Sequence, residues 1–105
     1  MSKSPMELLK HFAPEFAQNQ MQEKSLIFEN KKYQKVPNKY KTLIGIGVAA
    51  ALSSDTCTQM WTNMAKQNGV TNEEIVEAMN VARYMKQATV NDTIANSLKI
   101  LEGEK

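Results

Sequence analysis

The ten residues from Leu43 to Leu52, Leu-Ile-Gly-Ile-Gly-Val-Ala-Ala-Ala-Leu, constrain the fold of this chain more than any other segment. They carry no charge and no polar side chain, so folding has to withdraw them from water. A bilayer-crossing helix needs roughly 20 apolar residues, and this run falls well short, so it belongs inside a folded protein. The β-branched members would allow a buried strand. The Ala run and the continuation back to Lys39 favour a helix buried on most sides, with Gly45 and Gly47 permitting close approach of a neighbour.

The flanking segments also read as helix. Ser4-Pro5-Met6-Glu7 offers an N-cap, a proline at the first helical position and a capping-box glutamate. Pro14 disfavours helical geometry at Ala13, which keeps that first helix short, and can itself open a second. The second helix carries Phe16, Met21, Ile27 and Phe28 and fades in the polar run Glu29 to Lys35. Val36-Pro37-Asn38 reads as a turn. Ser53 or Ser54 caps a further helix that runs to Asn68 and stops at Gly69. Thr71-Asn72-Glu73-Glu74 is a second capping box, leading into Ile75, Met79 and Ala82. A last helix is expected around Ala88 to Leu101. The chain therefore predicts an all-α fold, a compact array of five to six helices forming a single domain over residues 1–105.

Composition limits the classes of function. A chain of 105 residues with 42% apolar and 23% charged residues is an ordinary folded domain, able to bury about 65% of its unfolded surface. The net charge of +2 is too small to imply nucleic acid. Lysines 31, 32, 35, 39 and 41 do cluster around Tyr33 and Tyr40, as a solvated connection between helices or as a phosphate- or RNA-binding patch. One cysteine allows neither an intramolecular disulfide nor a thiolate metal cage. Met1 to Lys10 lacks the apolar centre of a secretory signal. A soluble, cytoplasmic protein without membrane or nucleic-acid partners is expected.

The lone cysteine, Cys57, stands in the first turn of the helix that Ser54 caps. Ser54, Cys57 and Trp61 share one helical face, and the stripe continues through Met60, Met64 and Ala65. Helix N-termini favour the ionised, nucleophilic form of a thiol. A free cysteine on an apolar helix face is equally a common core residue. His11, the one histidine, lies far away in sequence and reads as a surface or packing residue. No Ser-His-Asp set, phosphate-binding glycine loop or metal-spaced cluster is present.

Lys39-Tyr40-Lys41-Thr42-Leu43-Ile44, the small-residue helix Gly45 to Leu52, Ala65-x-x-x-Gly69 and the acidic stretch Val70 to Ala78 share a layout with a known family. Over residues 36–85 the chain resembles the carboxymuconolactone decarboxylase and alkyl hydroperoxidase D family of small helical proteins, and Phe12-Ala13-Pro14-Glu15-Phe16 fits too. That family carries Cys-x-x-Cys-x-x-x-His between its small-residue helix and the Ala-x-x-x-Gly. The resemblance places Cys57 on the second cysteine, Ser54 on the first, Trp61 on the histidine, Thr42 on the glutamate of the proton relay and Thr56 where some members have a further histidine.

The resemblance implies a thiol-based, peroxide-reducing protein of antioxidant or oxygen defence, in which Cys57 acts alone and an external thiol reduces it, since Ser54 cannot resolve a mixed disulfide. Two alternatives stand beside it. One is a non-catalytic oligomeric binding protein that keeps the framework. The other is a lactone-acid decarboxylase, in which Lys41 or Arg83 would hold the carboxylate but Trp61 supplies no acid or base. The resemblance further implies a homo-oligomer, a trimer or hexamer; no cofactor or metal is expected.

Overall fold

The computed structural model describes residues 3–103, which form five α-helices and one 3-10 turn with no strand among them. The helices are α1 (Pro5–Phe12), α2 (Pro14–Phe28), α3 (Asn38–Ala51), α4 (Asp55–Gln67) and α5 (Asn72–Leu101), with the 3-10 turn at Lys31–Tyr33. They fall into two compact units, one ending at Asn38 and the other starting at Lys39.

In the first unit α1 packs on α2. The local sequence sets both starts. The Ser4 hydroxyl accepts from the Glu7 N–H, the Glu7 carboxylate accepts from the Ser4 N–H, and prolines occupy the first position of each helix. Ala17 is the buried residue of α2. The carbonyls that α2 leaves unpaired at its C-terminus are met by side-chain amides, Gln34 Nε2 to the Ile27 carbonyl (2.8 Å) and Asn38 Nδ2 to that of Phe28 (2.9 Å). Helix ends leave such carbonyls without an intrahelical partner. Asn38 already lies within α3, so the expected turn is confined to the bend at Lys35 and Val36.

The core of the second unit is formed by Ile46, Ala65, Val70 and Ile75, with Leu43, Trp61 and Met79 packed on it. Both connections around α4 follow one rule. At the end of α4 the Val70 N–H returns to the Ala65 carbonyl and that of Gly69 to Lys66, with Gly69 at φ 78°. At the end of α3 the Ser54 N–H returns to Ala49 and that of Ser53 to Ala50, with Ser53 at φ 62°. These are two Schellman stops, each needing one left-handed residue.

Two sequence expectations are corrected here. The segment 72–101 is one helix of 30 residues, not two. No glycine or proline interrupts Arg83 to Ala88, and Lys86 and Gln87 are good helix formers, so nothing stops the helix that the Thr71–Glu74 capping box begins. The apolar run is also less enclosed than expected. Thr42, Ile46 and Ala49 are buried, while Ile44 and Val48, on the opposite face of α3, and Leu52, just past its end, are 58%, 52% and 75% exposed. No helix among the described residues is long and apolar enough to cross a membrane.

Candidate functional site

Cys57 is a free, exposed cysteine. Its position follows from Ser54, whose extended backbone and hydroxyl form the N-cap of α4. The Ser54 hydroxyl accepts from the Cys57 N–H at 3.3 Å, and the Ser54 carbonyl accepts from both the N–H (2.9 Å) and the hydroxyl (2.7 Å) of Thr58. Ser54 is thus committed to the helix start. Asp55, the first residue of α4, lies where a negative charge suits the helix dipole, and its Oδ2 accepts from Gln59 Nε2 at 3.1 Å.

The core reading of the cysteine is not what the structure has. Along the stripe Cys57, Met60, Trp61, Met64 and Ala65, burial rises with distance from the cap: Cys57 and Met60 are exposed, Trp61 and Met64 half-buried, Ala65 fully buried. The face is the apolar one, and its first turn extends past the core.

The remaining candidates separate by what their side chains do. Thr42 is fully buried and its hydroxyl donates to the Lys39 carbonyl at 2.6 Å, which ties it to its own helix. Trp61 lies against α3 at Gly45, where an added Cβ would stand 2.5 Å from Cδ2 and Cε3 of the indole. Gly47, by contrast, faces open space, so only one of the two glycines serves a close approach. Thr56 is exposed in the first turn of α4. His11 belongs to the other unit, exposed, with its ring edge-on to Phe12 at 4.7 Å. Among the described residues no group of three His, Cys, Asp or Glu side chains is placed to hold a metal ion.

A charged contact braces this unit. Glu74, in the first turn of α5, pairs with Lys39 at the start of α3 at 3.0 Å and accepts from the Thr71 N–H at 2.9 Å. The Thr71 N–H first, and the Lys39 ammonium second, hold the Glu74 carboxyl below the usual glutamate range. Position 74 was legible only as half of a capping box; its link to Lys39 depends on how α3 and α5 meet.

Fold and site together define an all-helical protein that presents a single accessible thiol at a capped helix start, behind which an indole seals two helices. Residues 14–95 match the carboxymuconolactone decarboxylase family, and the chain belongs to that family. No curated protein and no solved structure matches it.

Proposed function

We propose that the protein is a one-cysteine, peroxide-reducing member of its family, of the alkyl hydroperoxidase D type. The observation that carries this reading is the exposure of Cys57 in the first turn of α4, under a cap that Ser54 supplies. In the reaction the Cys57 sulfur attacks one peroxide oxygen, the O–O bond breaks, an alcohol or water departs, and Cys57 becomes a sulfenic acid. A first external thiol displaces water from that sulfur to give a mixed disulfide. A second releases the reduced cysteine and leaves the external pair as disulfide. Ser54 has no part in these sulfur exchanges, and Thr56 and Trp61 line the approach.

The test is intact mass after treatment with hydrogen peroxide and dimedone, alongside peroxide consumption in dithiothreitol. One dimedone adduct, absent in Cys57→Ser, and turnover that the same variant abolishes are expected. A protein that forms no adduct and consumes no peroxide overturns the reading.

A second reading is favoured by the fate of Thr42 and Trp61. Both sit where the resemblance places relay residues, and both are engaged in packing, Thr42 by its bond to the Lys39 carbonyl and Trp61 by its seat on Gly45. A binding protein that retains the framework without the chemistry suits those two positions. The same feature weakens decarboxylation, which needs a positioned proton donor. Either way the chain is proposed to assemble with copies of itself, as a trimer or hexamer. Ile44 and Val48 on one side of α3 and Leu52 just past its end repeat every four residues and remain over half exposed, an apolar stripe of the kind that marks association. Light scattering at micromolar concentration gives the mass; a monomer contradicts the assembly.

A further inference from the structure

A second feature of the Lys39-onward unit lies between the last turn of α3 and the middle of α5. There, Ala50 and Ala51 face Ala82 across a hollow of about 360 Å³, the lower part of the range for small-molecule sites. The hollow exists because all three residues contribute only a methyl group, so the helices meet without filling the space. Val90, two turns beyond Ala82, extends the apolar lining.

The rim is cationic. Arg83, Lys86, Gln87 and Val90 follow at i, i+3, i+4 and i+7 and border the hollow from one side of α5. Two like charges at i, i+3 repel, and no acidic residue occupies the neighbouring i±3 or i±4 positions of either. Lys39 pairs with Glu74, whereas Arg83 donates to Asn80 Oδ1 at 3.3 Å. Cations beside a helix C-terminus commonly serve its exposed carbonyls. At α3 the carbonyls of Val48, Ala49 and Ala50 already accept from the N–H groups of Leu52, Ser54 and Ser53.

We infer that this hollow is a binding site for a small amphipathic carboxylate, its hydrocarbon on the alanines and Val90 and its acid group between Arg83 and Lys86. The guanidinium fork suits a carboxylate in two-point contact, and the methyl-lined floor suits its hydrocarbon. The site does not use Cys57, and it stands or falls independently of the peroxide chemistry.

Titration of the whole chain with hexanoate, followed by amide NMR shifts, tests the site. Saturable shifts are expected at Ala50, Ala51, Ala82 and Val90. Arg83→Gln and Lys86→Gln, both exposed and replaced by a good helix former, should each weaken hexanoate by about tenfold, the value of one charge-assisted contact. Ala51→Met, which fills the hollow, should abolish the shifts while leaving the circular dichroism of the protein unchanged. The neutral 1-hexanol and inorganic phosphate, each lacking half of the recognised chemistry, should bind more weakly than hexanoate. No saturation with hexanoate, undiminished binding by the doubly substituted chain, or equal binding of 1-hexanol or phosphate would each overturn the inference.

Discussion

The indole of Trp61 occupies the space that any side chain at Gly45 would need. A Cβ at position 45 would lie 2.5 Å from two ring carbons and 3.0 Å from a third, closer than packed carbon atoms tolerate. Glycine is therefore required at 45 because of what stands at 61, although glycine in a helix interior is itself unfavourable by roughly 0.5–1 kcal/mol relative to alanine.

Gly45→Ala should consequently destabilise the protein by about 1–3 kcal/mol, the usual range for forcing extra volume into a packed contact. Carrying the same change into a Trp61→Ala background reverses its sign, because only the gain in helix propensity is left. Urea unfolding of the four proteins of this cycle measures both effects. A Gly45→Ala protein as stable as the parent would contradict the contact.

Ser54→Ala should lower stability by about 1 kcal/mol through loss of the cap on the Cys57 N–H, equivalent to roughly 4–8 °C in melting temperature for a domain of this size. Ser54→Asn, which can still cap, should restore most of it. Thermal melts of the two variants decide the matter, and equal losses would show that the hydroxyl is not acting as a cap.

The parts of this structure that were legible in sequence are those fixed by near neighbours. Ser4 with Glu7, Thr71 with Glu74 and Gly69 after Asn68 each encode a helix end within three or four residues, and each forms as read. What depends on distant packing was not legible. Gly45 and Gly47 are identical as letters, but only the first faces an indole. Periodicity placed Cys57 on the face of Trp61 and Ala65 but carries no information about where along that face the core begins. The core starts one turn later, at Trp61, so the cysteine emerges into solvent. The unbroken α5 was missed for a related reason: its apolar positions drift around the helix, which resembles two short amphipathic helices unless the lack of a stop signal is given more weight.

Ser53 is the residue that the α3 stop would exchange for glycine. It holds φ 62° in the same motif that Gly69 completes after α4 at φ 78°. A non-glycine residue in that region bears a cost of about 1 kcal/mol, partly offset for Gly by its greater freedom in the unfolded chain. Ser53→Gly should therefore raise the unfolding midpoint slightly, and Ser53→Val, β-branched and poorly suited to positive φ, should lower it by more. Denaturant midpoints that rank Val above Gly would refute the assignment.

Glu74 gives the second unit a specific dependence on pH. Its carboxyl is held low by the Thr71 N–H and the Lys39 ammonium, so the folded state binds a proton less readily than the unfolded chain. A group depressed in this way contributes its full stabilisation above the ordinary glutamate value and loses it as pH falls from there through the lower, folded value. Glu74→Gln keeps an amide oxygen for the Thr71 N–H while discarding the charge that faces Lys39. It should be less stable than the parent at neutral pH, with the gap closing in acid, where the parent's own carboxyl is neutral. Because the Lys39–Glu74 pair is partly open to solvent, added salt should narrow the neutral-pH gap as well. Urea titrations at neutral and acidic pH, in low and high salt, measure all of these. A gap that stayed constant across pH would mean that Glu74 acts through shape and hydrogen bonding alone, and that its charge contributes nothing to holding α3 against α5.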